Sequence, residues 1–395
     1  MREKPERQYY LDWLRAGAMF LLIFFHTGRL FDSDPWHIKN ATENAAIDAF
    51  NGFLNVWQMP MFFLVAGAAV WFSLGRRTSW QFSRERFFRI FVPLIFGMLI
   101  IVPPQVYLER IFDGDFTGSF LAWYPNTFQG TYSNDDAATG NLSWHHLWFL
   151  AYLFVFSLLL LPLFRYLRRE DKKALLSRIG QFFSRPGAIL LPAVPLIVYE
   201  VFLLPIYGSG DHNLISDWRN FLFYLTVFFC GFLLVSDSQI GRTVWRQRYI
   251  FLISALAILG FIALVDAEAF IIPEWALLAL YAIDCWLWLL GIVGVAMAIL
   301  NIDNGLRRYA SDAVLPVYIL HQTLIVLFGF YVVTWDIPIV AKYFLIIVAV
   351  LLSAVAVYEA VRRVNVTRFL FGIKTPRLKA PEPVESPAAL PGQKM

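Results

Sequence analysis

Arg15 and His26 stand inside the first apolar stretch of this 395-residue chain, LDWLRAGAMFLLIFFHTGRL, with ten residues between them. On an α-helix, eleven steps rise about 16 Å and return to within about 20° of the starting face. A cation and an imidazole therefore share one stripe of one helix. Ionisable groups are costly in hydrocarbon, so the stripe is expected to face a polar cavity and to serve chemistry or transport. The purely structural alternative is an arginine that snorkels to the interface and a lone histidine packed against a neighbouring helix.

Three further constellations carry suitable groups. Arg86 and Arg89, in RERFFRIFVP, are three apart and share a helical face. Paired guanidinium groups grip phosphate oxygens with paired donors, so a phosphate-rich ligand would suit them, although arginines beside a span also follow from topology alone. Tyr318 and His321, in SDAVLPVYILHQ, fall on one face of a helix that Ser311 or Asp312 would cap, with Pro316 in its first turns. His145 and His146 open the run SWHHLWFLAY after a long polar loop that carries Asp113, Asp115, Asp135 and Asp136. Zinc normally takes a third protein ligand and no spacing supplies one, so no metal site is expected. With His26, the rings of His321 and His146 would place imidazoles in one membrane interior, where the neutral form accepts a proton at physiological pH.

What must position these groups is a membrane bundle. A chain that is 58% hydrophobic and only 16% charged, with a mean hydropathy of +0.57, is too apolar for a soluble domain of this length. Runs long enough to cross about 30 Å of hydrocarbon lie at approximately 11–31, 56–74, 90–108, 147–164, 188–207, 221–235, 249–265, 275–300, 313–335 and 339–361. The expected fold is an all-α polytopic membrane protein of about ten transmembrane helices. The first run is too long for a signal peptide and lacks a small-residue cleavage site after it, so it is expected to stay as an anchor.

Segments 1–10, 75–89, 165–187, 236–248, 301–312 and 362–395 hold 27 of the 33 lysines and arginines, which marks them and both termini as cytoplasmic. The net charge of +4 is then an orientation signal, and no soluble basic domain is present that would bind nucleic acid. Cys230 and Cys285 fall in apolar runs and read as small core residues. Pro60 is expected near the outer start of the second run, with Gly67 allowing close helix approach. Asp284 and Glu359 are structural candidates for pairing with arginine. One membrane domain is expected over 1–372, followed by a proline-rich disordered cytoplasmic tail over 373–395.

Taken together these stretches resemble the acyltransferase type 3 family of multispanning membrane enzymes, especially its glucan biosynthesis protein C branch. The resemblance rests on RQYYLDWLRAGAMFLLIFFH, PWHIKN, MPMFFLVAG, RERFFRIFVP, HHLWFLAYL and YILHQ, which run in family order up to Gln322. It implies a bacterial inner-membrane O-acyltransferase that takes an acetyl or succinyl group from cytosolic acyl-coenzyme A, a substrate rather than a resident cofactor. The acceptor would be a hydroxyl of an extracytoplasmic glycan, with periplasmic glucan favoured by PWHIKN.

Carried onto this chain, the resemblance makes Arg15 and His26 the essential pair, Arg86 and Arg89 the donor-side arginines with Arg15, and His146, Tyr318 and His321 further site residues. His26 would act as general base, with Tyr318 or His321 orienting it or stabilising the oxyanion, and an acyl-histidine intermediate is the covalent alternative. Arg29 is the candidate cation for a succinyl group. No counterpart of the extracytoplasmic hydrolase-like domain of many relatives is expected here, so a second transfer step is expected to need another protein. The competing function is a transporter or flippase for a glycan or lipid-linked sugar, which would call for broken helices around a midplane site.

Overall fold

The computed structural model describes residues 8–132, 140–208 and 212–374. Asp135, Asp136 and the tail from Thr375 onward lie outside the described residues. A helix occupies each of the ten expected runs. They are α1 (Tyr9–Gly28), α2 (Ala45–Leu74), α3 (Ser79–Phe112), the bent pair α4 (His145–Leu159) and α5 (Leu161–Leu167), and, after a short α6 (Lys173–Phe183), α7 (Ala188–Tyr207). Then follow α8 (Trp218–Leu234), α9 (Ser238–Asp266), α10 (Glu274–Ile299), α11 (Gly305–Val332), α12 (Ile339–Val361) and a terminal turn of helix, α13 (Asn365–Leu370). Seven of these are long and apolar enough to cross a bilayer, eight when α4 and α5 count as one span. The chain is an all-α polytopic membrane protein.

Several boundaries depart from the sequence reading for identifiable reasons. The second helix starts well before residue 56, because Asn44 caps it through Ala46 N and Ile47 N, and its first turns carry Asp48 and Asn51 rather than apolar residues. Pro60 is consequently buried inside the helix instead of near its start. Likewise α11 starts at Gly305, capped by Asn304 through Arg307 N at 2.8 Å, so neither Ser311 nor Asp312 is the cap and Pro316 lies deep within the helix. The prolines of α3 and α5 remove backbone donors. Pro93 and Pro103 each stand two residues after a π-helical stretch, Phe87–Phe91 and Gly97–Ile101, and Pro162 follows the 50° bend at Leu160.

Burial separates centre from periphery. The apolar windows of α2 and α10 are 67% buried and that of α11 is 61% buried, against 22% for α7 and 17% for α9. Around this centre α1 packs on α2 and α11, while α11 also meets α12 and the end of α3. Both cysteines are free, and Cys285 is buried. Of the two acids left as structural candidates, Glu359 pairs with Arg362 at 2.9 Å, whereas Asp284 is buried beside the Trp288 indole and meets no arginine.

The tightest crossing joins α2 and α8. A Cβ at Gly67 would stand 1.9 Å from the Phe228 carbonyl oxygen, and one at Gly231 would stand 1.9 Å from that of Leu64. Backbone atoms of one helix thus fill the space a side chain would need on the other. Gly67→Ala is therefore expected to cost more than the roughly 1–3 kcal/mol usual for overpacking. The measurement is the unfolding temperature of the detergent-purified protein, with Gly17→Ala, where the space is open, as the control that stays near wild type.

Candidate active site

A cavity of about 760 Å³ opens between α1, α2, α3, α4, α11 and the segment after α12. Gln8 and Lys374, the first and last described residues, both line it, so the two described ends of the chain share one side of the bundle. Its walls carry Arg15, Arg76, Arg77, Arg86, Arg89, Arg362, Arg363, Arg368 and Lys374 against only Asp12, Glu85 and Asp312. Such an excess of positive charge in a low-dielectric cleft attracts a polyanion.

The three sequence-predicted arginines all face this space, each held differently. Arg15 donates from Nη2 to Ser311 Oγ at 2.6 Å and to the Ser311 carbonyl at 3.2 Å, and lies 3.6 Å from Asp12. Arg89 donates to Glu85 at 3.1 Å and from Nε to the Gly372 carbonyl at 3.0 Å. Arg86 lies over the Phe82 ring, 4.7 Å from its centroid. Arg77 takes the second oxygen of Glu85 at 2.6 Å, so that one carboxylate organises two guanidinium groups and leaves the wall strongly cationic.

At its inner end the cavity reaches Phe62, Phe149 and Tyr318, and the histidines are not among its lining residues. They lie one layer further on. The Tyr318 hydroxyl donates to the His146 carbonyl. His146 Nε2–H donates to the Ile319 carbonyl at 3.1 Å, and His321 Nδ1–H donates to the Tyr318 carbonyl at 2.7 Å. Because a carbonyl only accepts, both tautomers are fixed, leaving a lone pair on His146 Nδ1 and on His321 Nε2. Among the described residues neither nitrogen has a partner, nor does His26 Nδ1. The ring of His26 stands 5.1 Å from that of His321, which is 5.0 Å from that of His146. Four predicted site residues, His26, His146, Tyr318 and His321, are thus brought together, and Arg15 is separated from them by the length of α1.

Sequence reasoning missed a second group that continues the cluster. His37 pairs through Nδ1 with Glu109, and its Nε2 accepts from Gln322 Nε2 at 3.2 Å. Glu109 also accepts from Arg110 at 3.2 Å and from the Tyr132 hydroxyl at 3.3 Å. The His37 ring is 4.8 Å from that of His145, and Trp36 stacks on His26 at 6.2 Å. His145 adopts a positive φ of 41°, unusual for a residue with a Cβ, and its Nε2 lacks a partner. The signal was the chain order itself: PWHIKN follows α1 directly, and Glu109 ends the span that Arg86 and Arg89 begin. Just beyond that helix, burial, then Glu109 and Asp115, raise the carboxyl pKa of Asp113. Among the described residues no group of three histidines, cysteines or acids is arranged to hold a metal ion. Arg29 is held between Asp32 and Asp34, and Lys39 shares Asp32 at 3.0 Å.

With this geometry in place, comparison with known proteins gives the class. Residues 8–359 match the acyltransferase domain family, and the chain belongs to that family: it is a membrane acyltransferase. It is similar to glucans biosynthesis protein C of Escherichia coli O139:H28 and to that of Escherichia coli K12. Each is 24% identical over 388 residues, covering 93% of this chain and 95% of the relative. No solved structure matches the chain.

The buried pair gives a stability test. Glu109→Ala removes the carboxylate that pairs with the buried His37 ring and with Arg110, which keeps only its bonds to Asn141 and the Gly140 carbonyl and a distant Asp115. The change is expected to cost about 3–5 kcal/mol, as breaking a buried ion pair does. Glu109→Gln keeps an acceptor and should cost less. Unfolding temperatures of the two purified variants, ranked with wild type, check the order.

Proposed function

We propose that the protein moves an acyl group from acyl-coenzyme A, bound in the basic cavity, to a hydroxyl of a glycan arriving from the opposite end of the bundle. The observation that carries this reading is the pairing of a cationic cavity with an imidazole cluster directly beyond its inner end. The phosphates of the donor would sit among Arg15, Arg86 and Arg89, and the slim pantetheine arm would run inward beside α1. From Arg15 to His26 that helix rises about 16 Å. The cavity end fits the cytoplasmic side, because the arginine-rich segments that define its mouth are those expected there. The setting would be the bacterial inner membrane.

For the chemistry, His26 takes the proton of the acceptor hydroxyl as the oxygen attacks the thioester carbonyl. The tetrahedral oxyanion collapses by breaking the carbon–sulfur bond, and the departing thiolate recovers a proton to leave as coenzyme A. Tyr318, which lines the cavity and bonds the His146 carbonyl, would turn aside from that carbonyl and donate to the oxyanion. His321 and His146, with tautomers fixed by backbone carbonyls, hold lone pairs toward the shared space and stabilise the proton that His26 gains. The name of the Escherichia coli relatives supports a glucan as acceptor, and acetyl and succinyl groups are the donors to try.

Inverted membrane vesicles given acetyl- or succinyl-coenzyme A should release free thiol. His26→Ala should lower that rate by at least about a hundredfold, the usual size of a general-base contribution. Arg86→Ala and Arg89→Ala should raise the KM for the donor and leave kcat nearly unchanged. A folded His26→Ala protein that keeps wild-type thiol release removes the assignment.

A further inference from the structure

Part of the cavity wall lies outside the family match, which ends at residue 359. Arg362, Arg363, Arg368, Gly372, Ile373 and Lys374 all line the cavity. The segment 362–374 contributes four of the nine basic groups around the cavity, and one of them, Lys374, falls just inside the region expected to become a tail.

The way this segment is built points to a purpose. Arg368 spends its guanidinium on the carbonyls of Arg362 and Lys374, which draws the chain after α13 back across the mouth. Gly372 turns at a φ of +64°, and a Cβ there would stand 2.8 Å from both the Arg89 carbonyl oxygen and a Leu315 methyl. Glycine is thus required by conformation and by contact together. The Gly372 carbonyl accepts from Arg89 Nε, which fixes the plane of that guanidinium. Lys374 follows, with no hydrogen bond from its ammonium and no ion pair among the described residues. Burial first, then the neighbouring Arg89, lower its pKa, with Glu85 opposing. Glu85 and Asp312 offset the surrounding positive charge only in part, so an anion that joins the cluster favours the ammonium.

We propose that residues 362–374 form part of the donor site, in which Lys374 binds the nucleotide phosphates of acyl-coenzyme A and Gly372 positions Arg89 for the same anion. This inference rests on the donor reading given under Proposed function. It extends the binding machinery beyond residue 359, where the family match ends.

The test is binding, measured apart from turnover by the thermal stabilisation that coenzyme A gives the purified full-length protein. Lys374→Glu is expected to weaken coenzyme A binding roughly tenfold or more. Binding of pantetheine, which has the thiol arm and no nucleotide, should not change. Lys173→Glu, which reverses an exposed charge outside the cavity, should bind coenzyme A as wild type does. Gly372→Val should raise the KM for acyl-coenzyme A with kcat retained.

Wild-type affinity in Lys374→Glu, an equal loss in Lys173→Glu, or an equal loss for pantetheine would each overturn the proposal. A wild-type protein that binds coenzyme A yet releases no thiol from its acyl esters sinks the transfer reading alone. One that binds no coenzyme A sinks both.

Discussion

The parallel contact between α1 and α11 is the constraint on which the site depends. At its lower end the buried Arg307 pairs with Asp12 and with Asp303 at 2.8 Å and lies 4.9 Å from the Tyr9 ring centroid. Asp12 in turn accepts from Ser311 at 3.2 Å, and Ser311 accepts from Arg15. At its upper end His26 meets His321. The lower contact joins residue 15 to 311 and the upper joins 26 to 321, so both helices advance in the same direction by nearly equal steps. One register therefore sets both ends of the reaction path: the lower knot aims Arg15 into the cavity, and the same register brings His26 to the imidazole cluster. A buried arginine satisfied by two carboxylates and a ring is hard to slide, because any shift leaves a charge without partners in a low-dielectric setting.

The rest of the bundle divides labour around that pair. The close approach of α2 and α8 through Gly67 and Gly231 forms the rigid side of the centre, while α7 and α9 remain peripheral. The third helix spans both chemistries. It begins with the guanidinium groups of the cationic mouth and ends at Glu109, whose carboxylate ties His37, Arg110 and Tyr132 together. Its two π-helical stretches, each followed by a proline, add to the turn of the backbone between these ends.

Most of the architecture was legible because hydrophobic length is a strong signal in membrane chains, and the arginine–histidine stripe named the central helix directly. What was illegible shares one physical cause: polar residues that belong to helices look like loops in a hydropathy profile. Asn44 to Asn51 hid the first turns of α2, and Asn304 to Asp312 hid those of α11. The same blindness concealed Glu109 as the end of a helix, and with it the carboxylate partner of His37. The gathering of His26, His146, Tyr318 and His321 was anticipated. That the basic cavity reaches Tyr318 without reaching the histidines, and that Arg29 pairs with Asp32 and Asp34, depend on side-chain directions that spacing alone does not carry.

Tyr318 belongs to both halves of the site. Its side chain lines the basic cavity, and its hydroxyl is committed to the backbone carbonyl of His146. A change in what fills the cavity can therefore be felt at the imidazoles through a single phenol, without any movement of the helices that carry them.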